Sequence, residues 1–136
     1  MPLRNDEVVP GAIAYFDAGT LTSDAHVERP NIPLRTGPFV CVQSAGGRSA
    51  WTPLTTQFRK ERLAIKSAWC LEGSVKWRSE DLYLNDGANT CVGPNKSFVA
   101  AASGETPFTK IKRPALSAEG VKEVFATINA RGGKLL

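Results

Sequence analysis

The sequence predicts a mainly β domain, a small and strongly bent β-barrel closed by one C-terminal α-helix. Short apolar or alternating runs recur between residues 8 and 102, separated by Gly, Pro, Asn and Asp, which is the pattern of short strands joined by turns. The one long stretch with a 3.6-residue period lies near the C-terminal end. No helical pattern separates the strand candidates, as the crossovers of a parallel α/β sheet would require. At 136 residues the chain fits one domain with a single modest core, taken as residues 1–136. With 42% hydrophobic and 22% charged residues, it is unlike a disordered or collagen-like chain.

The elements follow in order. Val8-Val9-Pro10-Gly11-Ala12-Ile13-Ala14-Tyr15-Phe16 reads as a turn and then a strand that ends near Asp17. Gly19, Ser23, Asp24, Pro30 and Pro33 break any period between residues 18 and 37, which predicts a loop, and loops of that length in small domains are usually functional. Residues 38–44 and 49–55 are two β-rich runs around Ala45-Gly46-Gly47-Arg48, a hairpin. A charged connection, residues 57–62, precedes a further strand over 63–71. Glu72-Gly73-Ser74 turns into Val75-Lys76-Trp77-Arg78, whose alternation predicts a half-exposed strand, and Leu82-Tyr83-Leu84 leads into the turn Asn85-Asp86-Gly87. Residues 96–102 form the last predicted strand. Ser117 then caps a helix with Val121, Val124, Phe125 and Ile128 on one stripe, ending before Gly132-Gly133.

Several chemistries are disfavoured. No apolar run approaches the ~20 residues of a membrane span, and Met1-Pro2-Leu3-Arg4-Asn5-Asp6-Glu7 is too polar for a signal peptide, so a soluble, cytoplasmic chain without a membrane partner is expected. Cys41, Cys70 and Cys91 each sit in or beside an apolar run and lack metal-ligand spacing, which predicts three reduced, buried, strand-borne thiols. A zinc site or Ser-His-Asp triad would have to be built around His26, the single histidine. No P-loop or GxGxxG is present, and no metal or cofactor is expected.

Charge is placed unevenly. Between Arg29 and Arg78, nine basic residues face only Glu61 and Glu72, a balance of +7 within a total of +4, which leaves −3 for the remainder. Trp51, Phe58, Trp69 and Trp77 are interleaved there, so the middle of the chain offers cations for phosphates and rings for stacking. Arg48, Gln57, Arg59, Lys60 and Arg62 are the RNA-binding candidates. Thr52, Thr55 and Thr56 with Gln57 add hydroxyls and an amide that suit phosphate oxygens or base edges, although threonine is also a common strand residue. Thr55 and Thr56, as neighbours on a strand, are expected to point one to the phosphate and one to the core. His26 with Glu28 has the makings of an acid–base pair, and Glu80-Asp81 reads as a solvated turn.

The order of these features resembles the MazF/PemK toxins of bacterial toxin–antitoxin pairs. Gly11-Ala12-Ile13-Ala14-Tyr15-Phe16-Asp17 looks like that family's opening strand, Phe39-Val40-Cys41-Val42-Gln43 like its second, and Pro53-Leu54-Thr55-Thr56-Gln57 like the Pro-x-Thr-Thr/Ser-Gln segment of its third. Leu116-Ser117-Ala118-Glu119 and the following stripe resemble its closing helix. The resemblance covers roughly a third of the chain, and feature order carries it. It implies an SH3-like barrel, a homodimer, an antitoxin partner, and metal-independent cleavage of single-stranded RNA by attack of a 2′-hydroxyl on the adjacent phosphorus. Thr55 and Thr56 match the family's hydroxyl positions. The family's catalytic Arg-Pro is Gly37-Pro38 here, so Arg35, or Arg29 of Arg29-Pro30, is the expected substitute, with His26 as proton donor or acceptor. The rival expectations are a non-catalytic SH3-like barrel that binds nucleic acid or a protein segment, and a phage or plasmid accessory protein used only for protein contacts.

Overall fold

The fold is built around one hairpin, β2 (Gly37–Ala45) and β3 (Arg48–Thr55). Gly46 and Gly47 have φ of +60° and +78°, the pair of positive angles that a two-residue type I′ turn needs. Cys41 lies opposite Trp51, and a bulge between Cys41 and Gln43 resets the register toward the turn. The computed structural model describes residues 2–86, 88–105 and 112–136.

β3 has two partners on its other edge. Its first half pairs with β7 (Cys91–Pro94), and its end pairs with β6 (Leu82–Leu84), which in turn pairs with β4 (Ala64–Ile65). β1 (Ile13–Phe16) pairs with β2, giving the order β1-β2-β3-β6-β4 with β7 branching from β3. β5 (Cys70–Leu71) and β8 (Ala115–Leu116) make a separate two-stranded sheet, and all these pairs are antiparallel. The mainly β architecture with a C-terminal helix is therefore present, and both sheets are open.

Both faces of the large sheet are covered. Phe16, Phe39, Cys41, Trp51 and Cys91 face α1 (Ala18–Ser23) and α3 (Asn95–Ala101), with Phe16 edge-on to Trp51 at 4.8 Å and Phe98 5.7 Å from Trp51. Ile13, Val40, Val42, Ala50 and Leu54 face the other way, onto Trp69, Trp77 and α4 (Ala118–Ala130). Burial on both sides explains why β1 and β2 read as continuous apolar runs. Ser117 caps α4 by accepting from the Gly120 amide, and Val124 and Ile128 are fully buried while Val121 packs against the core edge. Phe125 is only partly buried. The three cysteines are free, buried and strand-borne, as expected.

Four predicted elements differ. The predicted strand 96–102 is instead most of α3 and its C-cap, Ala102: Asn95, Ser97, Phe98 and Ala101 are the buried side of the helix, and Pro94 stands at its start. Residues 75–78 belong to α2 (Val75–Ser79), where the Ser74 hydroxyl accepts from the Trp77 amide and Trp77 turns inward. The predicted loop 18–37 begins with α1, because Asp17 accepts from the amide and hydroxyl of Thr20. The predicted strand over 63–71 is broken between β4 and β5 by a 3₁₀ turn, Ser67–Trp69. Gly87, read as part of the turn after Leu84, lies outside the described residues.

An ion cluster ties distant segments together. Arg113 donates Nη1 and Nη2 to Glu105 at 2.9 and 2.8 Å, Nε to Glu7 at 3.1 Å, and Nη1 to the Ile13 carbonyl at 2.9 Å. Burial pulls the Arg113 guanidinium down, but Glu105 and Glu7 outweigh it and hold it above its usual range. Partial burial pushes the Glu7 carboxyl up, but the Arg4 amide and the Arg113 guanidinium outweigh that and keep it below its usual value. The same cluster finishes the outer edge of β1. There the Ile13 amide donates to the Pro114 carbonyl, Tyr15 to the Glu105 carboxylate at 2.8 Å, and Asp17 to the Ala101 carbonyl.

Candidate functional site

Strands covered on both faces leave their ends and the connecting segments to do chemistry. At one end of the hairpin, Gly37 and Pro38 open β2 while Pro53, Leu54 and Thr55 close β3, and the segment 32–36 folds over them. The result is a cleft of about 220 Å³. The Thr36 hydroxyl accepts from the Ala18 amide at 2.9 Å and so fastens this segment to the start of α1. Arg35, Thr55 and Thr56 all line the cleft.

The opposite wall comes from residues that follow β6. The Asn85 amide donates to the Pro53 carbonyl at 3.1 Å, carrying the β3–β6 pairing one step further. Arg62 holds the wall in place: Nε donates to the Asn85 carbonyl, Nη2 to its side-chain oxygen, and Nη1 to the Gln57 carbonyl, all within 2.9 Å. Asn89 is buried and lines the same cleft.

Thr55 is half-buried at the last position of β3, and Thr56 is exposed just beyond it, so neither points into the core. The expectation that one of the two faces the core is therefore not met, and the strand ends between them. The Thr55 hydroxyl also accepts from the Gln57 amide at 3.2 Å, which bends the chain away from the sheet.

The other candidates lie elsewhere. His26 lines a shallow depression with Asp17, Thr20 and Asp24, and the contact there is from its backbone amide to Asp24 at 2.8 Å. The Ser97 hydroxyl and that amide keep the Asp24 carboxyl below its usual range. Arg29 adjoins β7, near enough for its charge to act on Cys91, where the Glu28 backbone bridges Val92. Arg48 opens β3 seven residues before Thr55, roughly 20 Å away along a strand. Gln57 contributes its backbone to the Arg62 contact, and Lys60 is exposed. Arg59 and Arg62 line a neighbouring depression that also takes in Arg131, just past the end of α4.

Sequence reasoning did not single out Asn85, Asn89 or Arg131. The available signal was an Asn-rich turn at a strand end, and it read only as a turn.

No protein-family model, curated protein sequence or solved structure matches this chain. Chemically, the residues that line the cleft bring one exposed guanidinium, three threonine hydroxyls and two amide side chains, a set suited to the oxygens of a phosphodiester. Among the described residues, no carboxylate pairs with Arg35. Among the same residues, no group of three His, Cys, Asp or Glu side chains could hold a metal ion, and no helix is long and apolar enough to cross a membrane.

Proposed function

We propose that the cleft binds the backbone of single-stranded RNA and that the chain is a MazF/PemK-like ribonuclease toxin. The observation that carries this reading is the meeting of Arg35 with Thr55 and Thr56, twenty positions apart in sequence, in one cleft. Arg35 neutralises the charge that builds on the non-bridging oxygens as the 2′-oxygen bonds to phosphorus, and the threonine hydroxyls donate to those oxygens. The bond to the 5′-oxygen breaks, leaving a 2′,3′-cyclic phosphate and a 5′-hydroxyl. In this reading the 2′-hydroxyl proton leaves to solvent and the 5′-oxygen is protonated from it, because His26 lines a different depression.

The fold supports the same reading in outline. The pairings β1-β2-β3-β6-β4, the β5-β8 pair and the bridge between Ala12 and Ala115 run around a ring whose one gap, between β4 and β5, is crossed by the Ser67–Trp69 turn. We read this as an opened SH3-like barrel. The reading also entails a cytoplasmic homodimer restrained by an antitoxin protein.

A second reading is favoured by one observation. No His, Lys, Asp or Glu is among the described residues that line the cleft, so no side chain there moves a proton readily near neutral pH. On that ground the cleft binds RNA without cutting it. Incubation with mixed-sequence RNA and a chelator separates the two: fragments ending in 2′,3′-cyclic phosphate support the nuclease, whereas salt-sensitive binding with intact RNA selects the binding module. If the RNA is neither bound nor cut, both readings fail. Growth arrest on induction, relieved by a neighbouring reading frame, tests the toxin assignment.

A further inference from the structure

The cleft continues into a second, wider depression of about 540 Å³, and the two share Ile32, Asn85 and Asn89 as a common wall. Arg59, Arg62 and Arg131 line this second depression. They reach it from separate places: the connection after β3, the end of that connection, and the residue that follows α4.

Two of the three guanidiniums are held in position by neutral groups. Among the described residues, the Arg62 guanidinium donates to the carbonyls of Asn85 and Gln57 and to the Asn85 amide oxygen, all neutral. Arg131 donates to the Glu61 carbonyl. Neutral acceptors orient a cation without cancelling its charge, and a guanidinium already fixed loses little freedom when an anion arrives. The Arg59 guanidinium has no hydrogen-bond or ion-pair partner among the described residues, while the Arg59 carbonyl accepts from the Arg62 amide.

Glu61 and Asp86 also line the depression. Neither forms an ion pair with the three arginines among the described residues, and Asp86 turns one oxygen to the Ala88 amide at 3.0 Å. Three guanidiniums against two carboxylates leave a net positive surface beside a cleft that already suits a phosphodiester.

We infer that the Arg59–Arg62–Arg131 depression is a second phosphate subsite, which holds the backbone of the same single strand next to the phosphate bound by Arg35. This inference rests on the reading of the cleft as an RNA site. The shared wall of Asn85 and Asn89 makes the two subsites continuous, so one strand crosses from one to the other. Arg131 thereby gives the closing helix a part in binding that its apolar stripe does not suggest.

The test uses a short fluorescent single-stranded RNA with every ribose 2′-O-methylated, which removes the attacking hydroxyl and leaves binding as the readout. Affinity is measured against salt for the full chain, for Arg59→Ala, Arg131→Ala and Arg35→Ala, and for Arg59→Lys as the charge-preserving control. Melting curves confirm that each variant folds. Arg59→Ala and Arg131→Ala are each expected to weaken binding about fivefold and to lower the salt slope by about 0.7, the value for one phosphate contact on a single strand. Arg59→Lys should keep the slope.

If Arg35→Ala weakens binding while Arg59→Ala and Arg131→Ala match the parent, the second subsite is wrong and the cleft reading stands. If Arg59→Ala and Arg131→Ala weaken binding and Arg35→Ala does not, the depression binds RNA by itself, and both the cleft reading and the pairing of two adjacent subsites are wrong. A parent chain that fails to bind at low salt overturns both.

Discussion

Thr55 lies directly opposite Tyr83 in the β3–β6 ladder, and the ring of Tyr83 meets that of Phe58 edge-on at 5.6 Å. Opposed residues of an antiparallel pair share a face, so a hydroxyl of the cleft continues into two rings on the outer side of the sheet. Phe58 is 71% exposed, so its ring is open to stack against a base. Phe58→Ala is expected to weaken single-stranded RNA binding by about 1–3 kcal/mol, the worth of one stacked base, and to leave the melting temperature unchanged. Fluorescence anisotropy and a melting curve on the same sample check both halves.

Arg35→Ala should lower any RNA cleavage by more than ~10²-fold with the fold intact, because a charge-assisted contact made in the transition state is worth about 3 kcal/mol. His26→Ala and Arg29→Ala should cut at the parent rate, since neither residue lines the cleft. Thr55→Val and Thr56→Val should both lose activity, as both residues line the cleft. Full activity in Arg35→Ala combined with a dead Arg29→Ala would move the catalytic cation out of the cleft to the segment beside β7.

Acid should destabilise the protein in part through Glu7. Its folded pKa lies below its ordinary value of 4.5, so its contribution is fully present above that value and is lost as pH falls through the folded pKa. In Glu7→Gln, the urea midpoint should be lower at neutral pH and should vary less between there and about pH 3 than in the parent. An unchanged pH profile would mean that Glu7 titrates alike in the folded and unfolded chain.

Gly120 sets two effects against each other. Alanine is the better helix former by about 1 kcal/mol. A Cβ at Gly120 would lie 2.8 Å from Leu116 Cγ and 2.9 Å from Trp69 Cβ, atoms too near their backbones to swing away. Overpacking of this kind costs about 1–3 kcal/mol, so Gly120→Ala should lower the melting temperature despite its helix propensity. A higher melting temperature would show that Trp69 gives way.

The thiols should be silent in the native protein. Burial pushes Cys41 and Cys91 up to about 12, with a backbone contact to Gln43 and the Arg29 charge offsetting it only in part. Burial also raises Cys70. Iodoacetamide at about pH 8 should label none of the three until denaturant is added, because the thiolate is the reacting form. Rapid labelling of one site under native conditions would identify a segment that opens.

Legibility in the sequence follows how local the cause is. The hairpin is legible because two glycines and two β-rich runs specify it alone, and α4 because Ser117 and a thirteen-residue helix leave room for a period to show. α2 has five residues and α3 seven, too few for a 3.6-residue period to stand out from alternation or from an apolar run. The site divides the same way. Thr55 and Thr56 are adjacent and draw notice, and Arg35 came to notice through the resemblance in feature order. Arg131 meets the carbonyl of a residue seventy positions earlier, and nothing near it in the chain announces that.

The finished edge of β1 has a consequence for self-association. An edge strand with unused amides is a template on which another chain can crystallise as the next strand, and that is how many β proteins begin to polymerise. Here the outward amides of Ile13, Tyr15 and Asp17 are spent, two on carbonyls and the middle one on the Glu105 carboxylate. A docking strand would have to displace a charged, buried side chain from its arginine before forming its first bond. Glu105 thus helps close this edge of the sheet to a further strand, and its loss would free the middle one of the three outward amides.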